Sequence, residues 1–154
     1  MTLTEKYNAE DCFDWKDNRK IVVLNDSKGG KSTYRGENPD ENLLILFRID
    51  GGIMKNATQK QCDFGLYNGT TDSIRFVELK GSDCTQAIRQ ISQTIDSVLD
   101  HTVTCPAKVY GRIVLSRART PELNTAEEYR LKKKLIKMKG DLKIQSGKMK
   151  ETID

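Results

Sequence analysis

The chain has 154 residues, 36% of them hydrophobic and 31% charged, with a formal net charge of +4. That length suits one domain with a buried core, and the composition is globular, which excludes fibrous and disordered classes. No apolar stretch is long enough for a signal peptide or a membrane span, and the four cysteines (Cys12, Cys62, Cys84, Cys105) form neither a C-x-x-C pair nor a zinc spacing, so a reduced, cytoplasmic protein is expected.

In chain order, Thr4 to Trp15 is expected to form a short helix. Lys20 to Leu24 (K-I-V-V-L) reads as a strand. Asn25 to Asp40 is rich in Gly, Ser, Asn and Asp and reads as a loop or loose hairpin. Within it, Lys28 to Thr33 (K-G-G-K-S-T) fails as a phosphate-binding P-loop. The pattern G-x-x-x-x-G-K-[ST] needs glycine at position 25, where this chain has Asn25. Tyr34 to Pro39 also cannot start the helix that such a loop feeds. A flexible basic turn is the reading there.

Leu43 to Asp50 (L-L-I-L-F-R-I-D) is a nearly continuous apolar run, expected to be a central strand. Gln59 to Tyr67 is a further strand, Asn68-Gly69 a hairpin signal, and Ser73 to Lys80 the returning strand. Cys84 to Asp100 is an amphipathic helix with Ile88, Ile91, Ile95, Val98 and Leu99 on one side, capped by Ser82 or Asp83. Ala107 to Ser116 is a strand. Thr120-Pro121 opens a second helix that runs to about Lys139, where Gly140 stops it. Asp141 to Gln145 is a short strand, and Ser146 to Asp154 a mobile or edge-attached tail. The order predicts an α/β protein: a central mixed β-sheet flanked by helices, in one domain over 1–154.

Residues Phe76 to Gly81 read F-V-E-L-K-G. Side chains alternate along a strand, so Glu78 and Lys80 share a face while Val77 and Leu79 take the other. A two-residue turn at Asn68-Gly69 sets Asp63 opposite Ile74 and Gln59 opposite Glu78. Widening the loop by one residue at each end sets Asp63 opposite Phe76 and Gln61 opposite Glu78. Either register gathers Asp63, Gln61, Phe76, Glu78 and Lys80 on one face; a one-residue slip would separate them.

Two neighbouring carboxylates repel unless a cation sits between them. Their oxygens suit Mg²⁺ or Mn²⁺, not zinc. An ion there can activate water and stabilise charge on a phosphate, and Lys80 can hold the attacking water or the transition-state oxygens. The only histidine, His101, is read as a surface or packing residue. Asp50 is either a further ligand or a turn residue before Gly51-Gly52.

Cys62-Asp63, a hairpin, Glu78-Leu79-Lys80 and a following helix together resemble the PD-(D/E)xK nuclease superfamily, with its restriction-endonuclease-like fold. The resemblance covers about Leu43 to Ser116. It implies that Asp63 and Glu78 are metal ligands and Lys80 the catalytic lysine, with the helix Cys84–Asp100 packed on a central mixed sheet. Cys62 stands where proline often precedes the acid. Many members place a glutamine on that helix. Gln86, Gln90 and Gln93 lie at i, i+4 and i+7, and Gln90 and Gln86 are the expected contacts to a phosphate, a water or Glu78; the alternative is a solvated polar face. Many members also supply a glutamate from an N-terminal helix, for which Glu10 and Glu41 both remain open.

Charge is unevenly spread. Met1 to Thr104 carries 13 basic and 16 acidic residues, Cys105 to Asp154 carries 13 and 6. Arg112, Arg117, Arg130, Lys133, Lys134 and Lys137 are expected to contact nucleic-acid phosphates; a solvated helix surface is the alternative. The expected activity is Mg²⁺- or Mn²⁺-dependent hydrolysis of phosphodiester bonds, with DNA as substrate, by a homodimer or a member of a larger assembly. A restriction, defence or mobile-element role would follow. Two other classes stay open: an inactive nucleic-acid-binding module of the same fold, and a protein-interaction or immunity subunit.

Overall fold

A computed structural model describes residues 1–26, 30–55, 61–81, 83–117 and 126–154. In chain order these form α1 (Leu3–Lys6), a 3-10 turn (Glu10–Cys12), β1 (Phe13–Asp17), β2 (Ile21–Asn25), β3 (Thr33–Glu37), β4 (Leu44–Arg48), β5 (Phe64–Asn68), β6 (Ser73–Lys80), α2 (Cys84–Val98), β7 (Lys108–Leu115), α3 (Ala126–Lys137), β8 (Leu142–Ser146) and β9 (Lys148–Thr152). A six-stranded sheet runs β1-β4-β5-β6-β7-β8, and a three-stranded sheet runs β2-β3-β9. The first is mixed: β1, β4, β5 and β6 are antiparallel neighbours, while β6, β7 and β8 are parallel.

Strand periodicity decides which layer each side chain enters. On one face of the large sheet, Ile45, Phe47, Ile74, Phe76 and Ile113 pack beneath Ile88, Ile91 and Ile95 of α2 and Leu131 and Leu135 of α3. On the other, Leu44, Leu46, Leu66, Val77, Leu79 and Val114 pack against Val22, Leu24, Tyr34, Met149 and Ile153. The helices thus gather on one face, and the small sheet covers the other. β6 is covered on both sides, so its first seven residues are buried. Among the described residues no helix is long and apolar enough to cross a membrane. All four cysteines are free thiols.

Two stretches depart from the sequence expectations, and the tail takes the edge-attached form, one of its two expected ones. Thr4 to Trp15 is not one helix: α1 stops at Lys6, and Phe13 begins a strand that pairs with β4. Its alternating half-buried and exposed residues suit a sheet edge. The tail is ordered in part as β9, which joins β3 in parallel and buries Met149 and Ile153. The hairpin is wider than a two-residue turn. Asn68 pairs with Ser73, leaving Gly69 to Asp72 as a four-residue loop. Asn68 acts here through its side chain: Oδ1 accepts from the backbone N–H groups of Thr70 (3.0 Å) and Thr71 (3.3 Å), an Asx-type closure. Asp72 takes the left-handed conformation, with φ 53°.

Arg112 corrects the phosphate-contact reading. Its side chain is 2% exposed and lies between the sheets. Its Nε donates to both Glu151 carboxylate oxygens at 3.0 Å, and its Nη1 to Asp141 Oδ1 at 2.7 Å. Arg75 shares Glu151 at 3.2 Å, and Tyr34 donates its hydroxyl to the same carboxylate at 2.6 Å. Both guanidiniums also lie over the Tyr110 ring, 4.4 and 4.9 Å from its centre. Arg112 therefore serves the interior and cannot reach a polyanion.

Beyond α3, Lys139 takes the left-handed conformation (φ 64°), one residue before the expected glycine stop. Gly140 is required for a different reason: a Cβ there would lie 1.7 Å from the Val109 carbonyl oxygen and 2.5 Å from its carbon. Backbone cannot yield as a side-chain tip can. Gly140→Ala is expected to cost about 1–3 kcal/mol, read as a lower urea midpoint with an unchanged slope.

Candidate active site

The parallel strands β6, β7 and β8 are linked by crossovers through α2 and α3, and their carboxyl ends lie together at one sheet end. Ligands of open α/β sheets bind at such ends. Here β6 closes with Glu78-Leu79-Lys80, and α2 begins three residues after Gly81. Asp83 caps α2 by accepting from Gln86 N–H at 2.9 Å; the other expected cap, Ser82, lies outside the described residues.

The hairpin register continues past β5 so that Asp63 stands opposite Glu78. The shift from the expected pairings is even, so the shared face survives. The two acids clasp each other's strand. Asp63 N–H donates to Glu78 Oε1, and Leu79 N–H donates to Asp63 Oδ2, both at 3.1 Å. Glu78 is 2% exposed and Asp63 half-buried. Backbone N–H donors offset part of the water each carboxylate loses.

Lys80 and Gln90 complete the cluster. Lys80 Nζ donates to Gln90 Oε1 at 3.1 Å, and Gln90 Nε2 donates to the Gln61 carbonyl at 3.1 Å. An ammonium can only donate and a carbonyl can only accept, so these two bonds fix which way the amide points. Gln90 is buried, not part of a solvated stripe. Thr94, one turn later, accepts from Cys62 N–H at 2.9 Å. Its hydroxyl also lies 2.6 Å from the Gln90 carbonyl and 3.1 Å from Gln61 Oε1. This buried network ties the segment carrying Asp63 to the helix carrying Gln90. Gln61 and Thr94 were not among the expected site residues. Thr94 could have been found: it sits among Ala87, Ile91 and Val98 at core spacing, and a polar residue there needs partners.

The other expected residues divide by position. Cys62 is fully buried, and burial together with the Glu78 charge pushes its thiol well above the ordinary range. It is a neutral packing group, not a thiolate ligand. Asp50 turns away from the site: Ile49 N–H meets the Asp63 carbonyl at 3.2 Å, while Asp50 is exposed and bridges Met54. Ile49 thus takes the place beside Asp63 that was expected for Asp50. Glu10 is exposed in the 3-10 turn, and Glu41 lies before β4, at the opposite sheet end. Gln86 is half-buried in the first turn of α2. Arg117 is exposed, and its N–H donates to the Gly81 carbonyl at 3.3 Å, beside Lys80.

α3 runs parallel to α2, since Arg89 pairs with Glu127 and Lys134 with Asp96. Its residues therefore recede from the site along the helix. At 1.5 Å per residue, Lys137 is about 13 Å farther away than the level of Glu128. Arg130 and Lys134 line a groove of about 360 Å³ between the helices, together with Arg89, Gln93 and Glu127. Lys133 lies on the exposed side over Tyr129. The helix opening expected at Thr120-Pro121, and the strand start at Gln59 and Lys60, lie outside the described residues.

Among the described residues, no group of three His, Cys, Asp or Glu side chains forms a metal cluster. Asp63 and Glu78 are an oxygen pair, the donor set that Mg²⁺ uses when waters and substrate phosphates fill its remaining positions. A site of this kind fits a hard divalent ion and does not fit zinc. No protein-family model matches the sequence, and neither a curated protein nor a solved structure matches it significantly.

Proposed function

We propose that the protein is a metal-dependent phosphodiesterase acting on nucleic acid, with DNA as the expected substrate, and that it resembles the PD-(D/E)xK nucleases in chemistry. The observation that carries this reading is one cluster at the carboxyl end of β6. Glu78 accepts from Asp63 N–H, Asp63 accepts from Leu79 N–H, and Lys80 is held by Gln90. An acid pair of one buried and one half-buried carboxylate, with a held lysine on the same strand face, suits charge stabilisation at a reacting phosphate.

Asp63 and Glu78 would hold Mg²⁺ or Mn²⁺. When bound, such an ion supplies Lewis acidity and lowers the pKa of a coordinated water. Glu78 fixes Asp63 by accepting from its N–H. Lys80 donates hydrogen bonds to the attacking water or to a phosphate oxygen. Gln90 holds the Lys80 ammonium through its Oε1, and Gln61 and Thr94 hold Gln90. Cutting both strands of a duplex needs two such sites, hence a pair of chains.

The test is cleavage of plasmid and linear DNA with Mg²⁺ or Mn²⁺, and with EDTA as control. Metal-dependent cutting that disappears in Glu78→Gln supports the reading. Cutting that survives that substitution removes it. DNA bound but uncut under all metals would favour a binding module with the same constellation.

A further inference from the structure

We propose that Lys31, two residues before β3, joins Arg117 to form a cationic rim of the candidate site, and that this rim grips the phosphate backbone of a nucleic-acid duplex. The identity of the partner rests on the phosphodiesterase reading; the placement of the rim does not.

The sequence K-G-G-K-S-T fails as a P-loop because it leads into a strand, and Thr33 indeed begins β3. Its first two residues, Lys28 and Gly29, lie outside the described residues; the position of the others gives them another use. Ser32 is 1% exposed, and its hydroxyl donates to the carbonyl of Lys80 at 3.1 Å. A residue just before the central strand of the small sheet is thus bonded to the lysine of the site. The same Lys80 carbonyl accepts from Ser116 N–H at 2.9 Å. Thr33 N–H donates to the Gly147 carbonyl at 3.0 Å, and Gly147 N–H to the Leu115 carbonyl at 2.6 Å. Ser146 Oγ donates to the Arg117 carbonyl at 3.2 Å. Four segments of the two sheets are knitted at the end where β6 presents Lys80.

Two cations follow from that knitting. Lys31 is exposed and adjacent to the anchored Ser32; Arg117 is exposed and adjacent to Ser116. Neither has an ion-pair partner among the described residues, whereas Lys132 and Lys134 on α3 are paired with Glu128 and Asp96. Acids share this rim: Asp83 is exposed just beyond Gly81, whose carbonyl accepts from Arg117 N–H, and Asp26 lies so close to Gly30 that a Cβ added to the glycine would be 2.1 Å from Asp26 Oδ2. A cationic rim around an acid pair is what a polyanion entering a cation-dependent site requires. Neither rim residue is aromatic, so the contact is to phosphate and not to unstacked bases.

The experiment measures affinity for a short labelled DNA duplex in EDTA, from about 50 to 200 mM salt. It compares the wild type with Lys31→Gln/Arg117→Gln and with Lys133→Gln/Lys137→Gln. All four side chains are exposed, and equal thermal unfolding of the three forms shows that folding is unaffected. Each phosphate contact contributes about 0.9 to the slope of log affinity against log salt. The rim variant is expected to lose about 2 from that slope, and the α3 variant to keep the wild-type value. An unchanged slope in the rim variant, a loss confined to the α3 variant, or no salt-dependent affinity in the wild type overturns the proposal. Cleavage is scored separately. A rim-dependent slope in a protein that never cuts DNA keeps the rim and removes the phosphodiesterase. Glu78-dependent cutting with an unchanged rim slope does the reverse.

Discussion

Lys80→Ala is expected to lower metal-dependent cleavage by at least about a hundredfold while leaving the fold intact. The ammonium is half-buried and makes one side-chain hydrogen bond among the described residues, to Gln90 Oε1. Its loss exposes an amide oxygen that water can reach, so the structural cost is small. The chemical cost is large, because a fixed positive charge beside the acid pair disappears. Gln90→Ala separates charge from aim. It keeps Lys80 but removes the acceptor that orients it, and a misplacement of about 1 Å can itself cost up to roughly a hundredfold. Single-turnover rates at saturating DNA read both variants. Equal losses would mean that lysine and glutamine act as a unit. Full activity in Lys80→Ala would remove the lysine from the chemistry.

Glu151→Gln is expected to destabilise the protein by about 3–5 kcal/mol, the cost of breaking a buried ion pair on one side. Glu151 is the carboxylate shared by Arg75, Arg112 and Tyr34, in a layer where both arginine side chains are 2% exposed. Without it the two buried guanidiniums over Tyr110 lose the carboxylate they share and keep only Asp154 and Asp141. Burial alone would raise the Glu151 carboxyl, but Arg112, Tyr34 and Arg75 outweigh it and hold it below its ordinary value. Its contribution is therefore fully present above the unfolded-chain value of about 4.3, and is lost as pH falls through the lower folded value. Tyr34 behaves oppositely. Burial and the Glu151 charge push its hydroxyl upward, so its contribution is present below about pH 10 and fades as pH rises beyond it. Urea unfolding across pH checks both limbs. The acid limb should be shallower in Glu151→Gln than in the wild type; an identical limb would show that other carboxylates set acid stability.

Much of the site was legible because strand parity is robust. The shared face of Asp63 and Glu78 needed only that the loop length stay even; their direct pairing came from a loop longer than Asn68-Gly69 suggested. The alternation of β6 placed Glu78 and Lys80 together whatever lay across from them. The amphipathic pattern gave α2 almost to its ends, and Asp83 was one of its two expected caps. Long-range placement was not legible. Nothing local tells which way Arg112 faces: it lies inside β7, and only the packing of a second sheet buries it. β9 has no apolar run, just Met149 and Ile153 set among charges, so its role depends on the acids it carries inward. Phe13 to Asp17 escapes a local reading for the related reason that an edge strand borrows its order from its neighbour.

The arginines of the inter-sheet layer also bear on how the protein is made. Arg75 and Arg112 precede Glu151 by 76 and 39 residues. A ribosome adds about 5–20 residues per second. Both guanidiniums therefore emerge seconds before the carboxylate that neutralises them. Over that interval the layer lacks the carboxylate that the two arginines share, and only Asp141, a partner of Arg112, is made before it. The layer closes only when β9 leaves the exit tunnel, so polyanions and chaperones in the cell have a defined window in which to meet it.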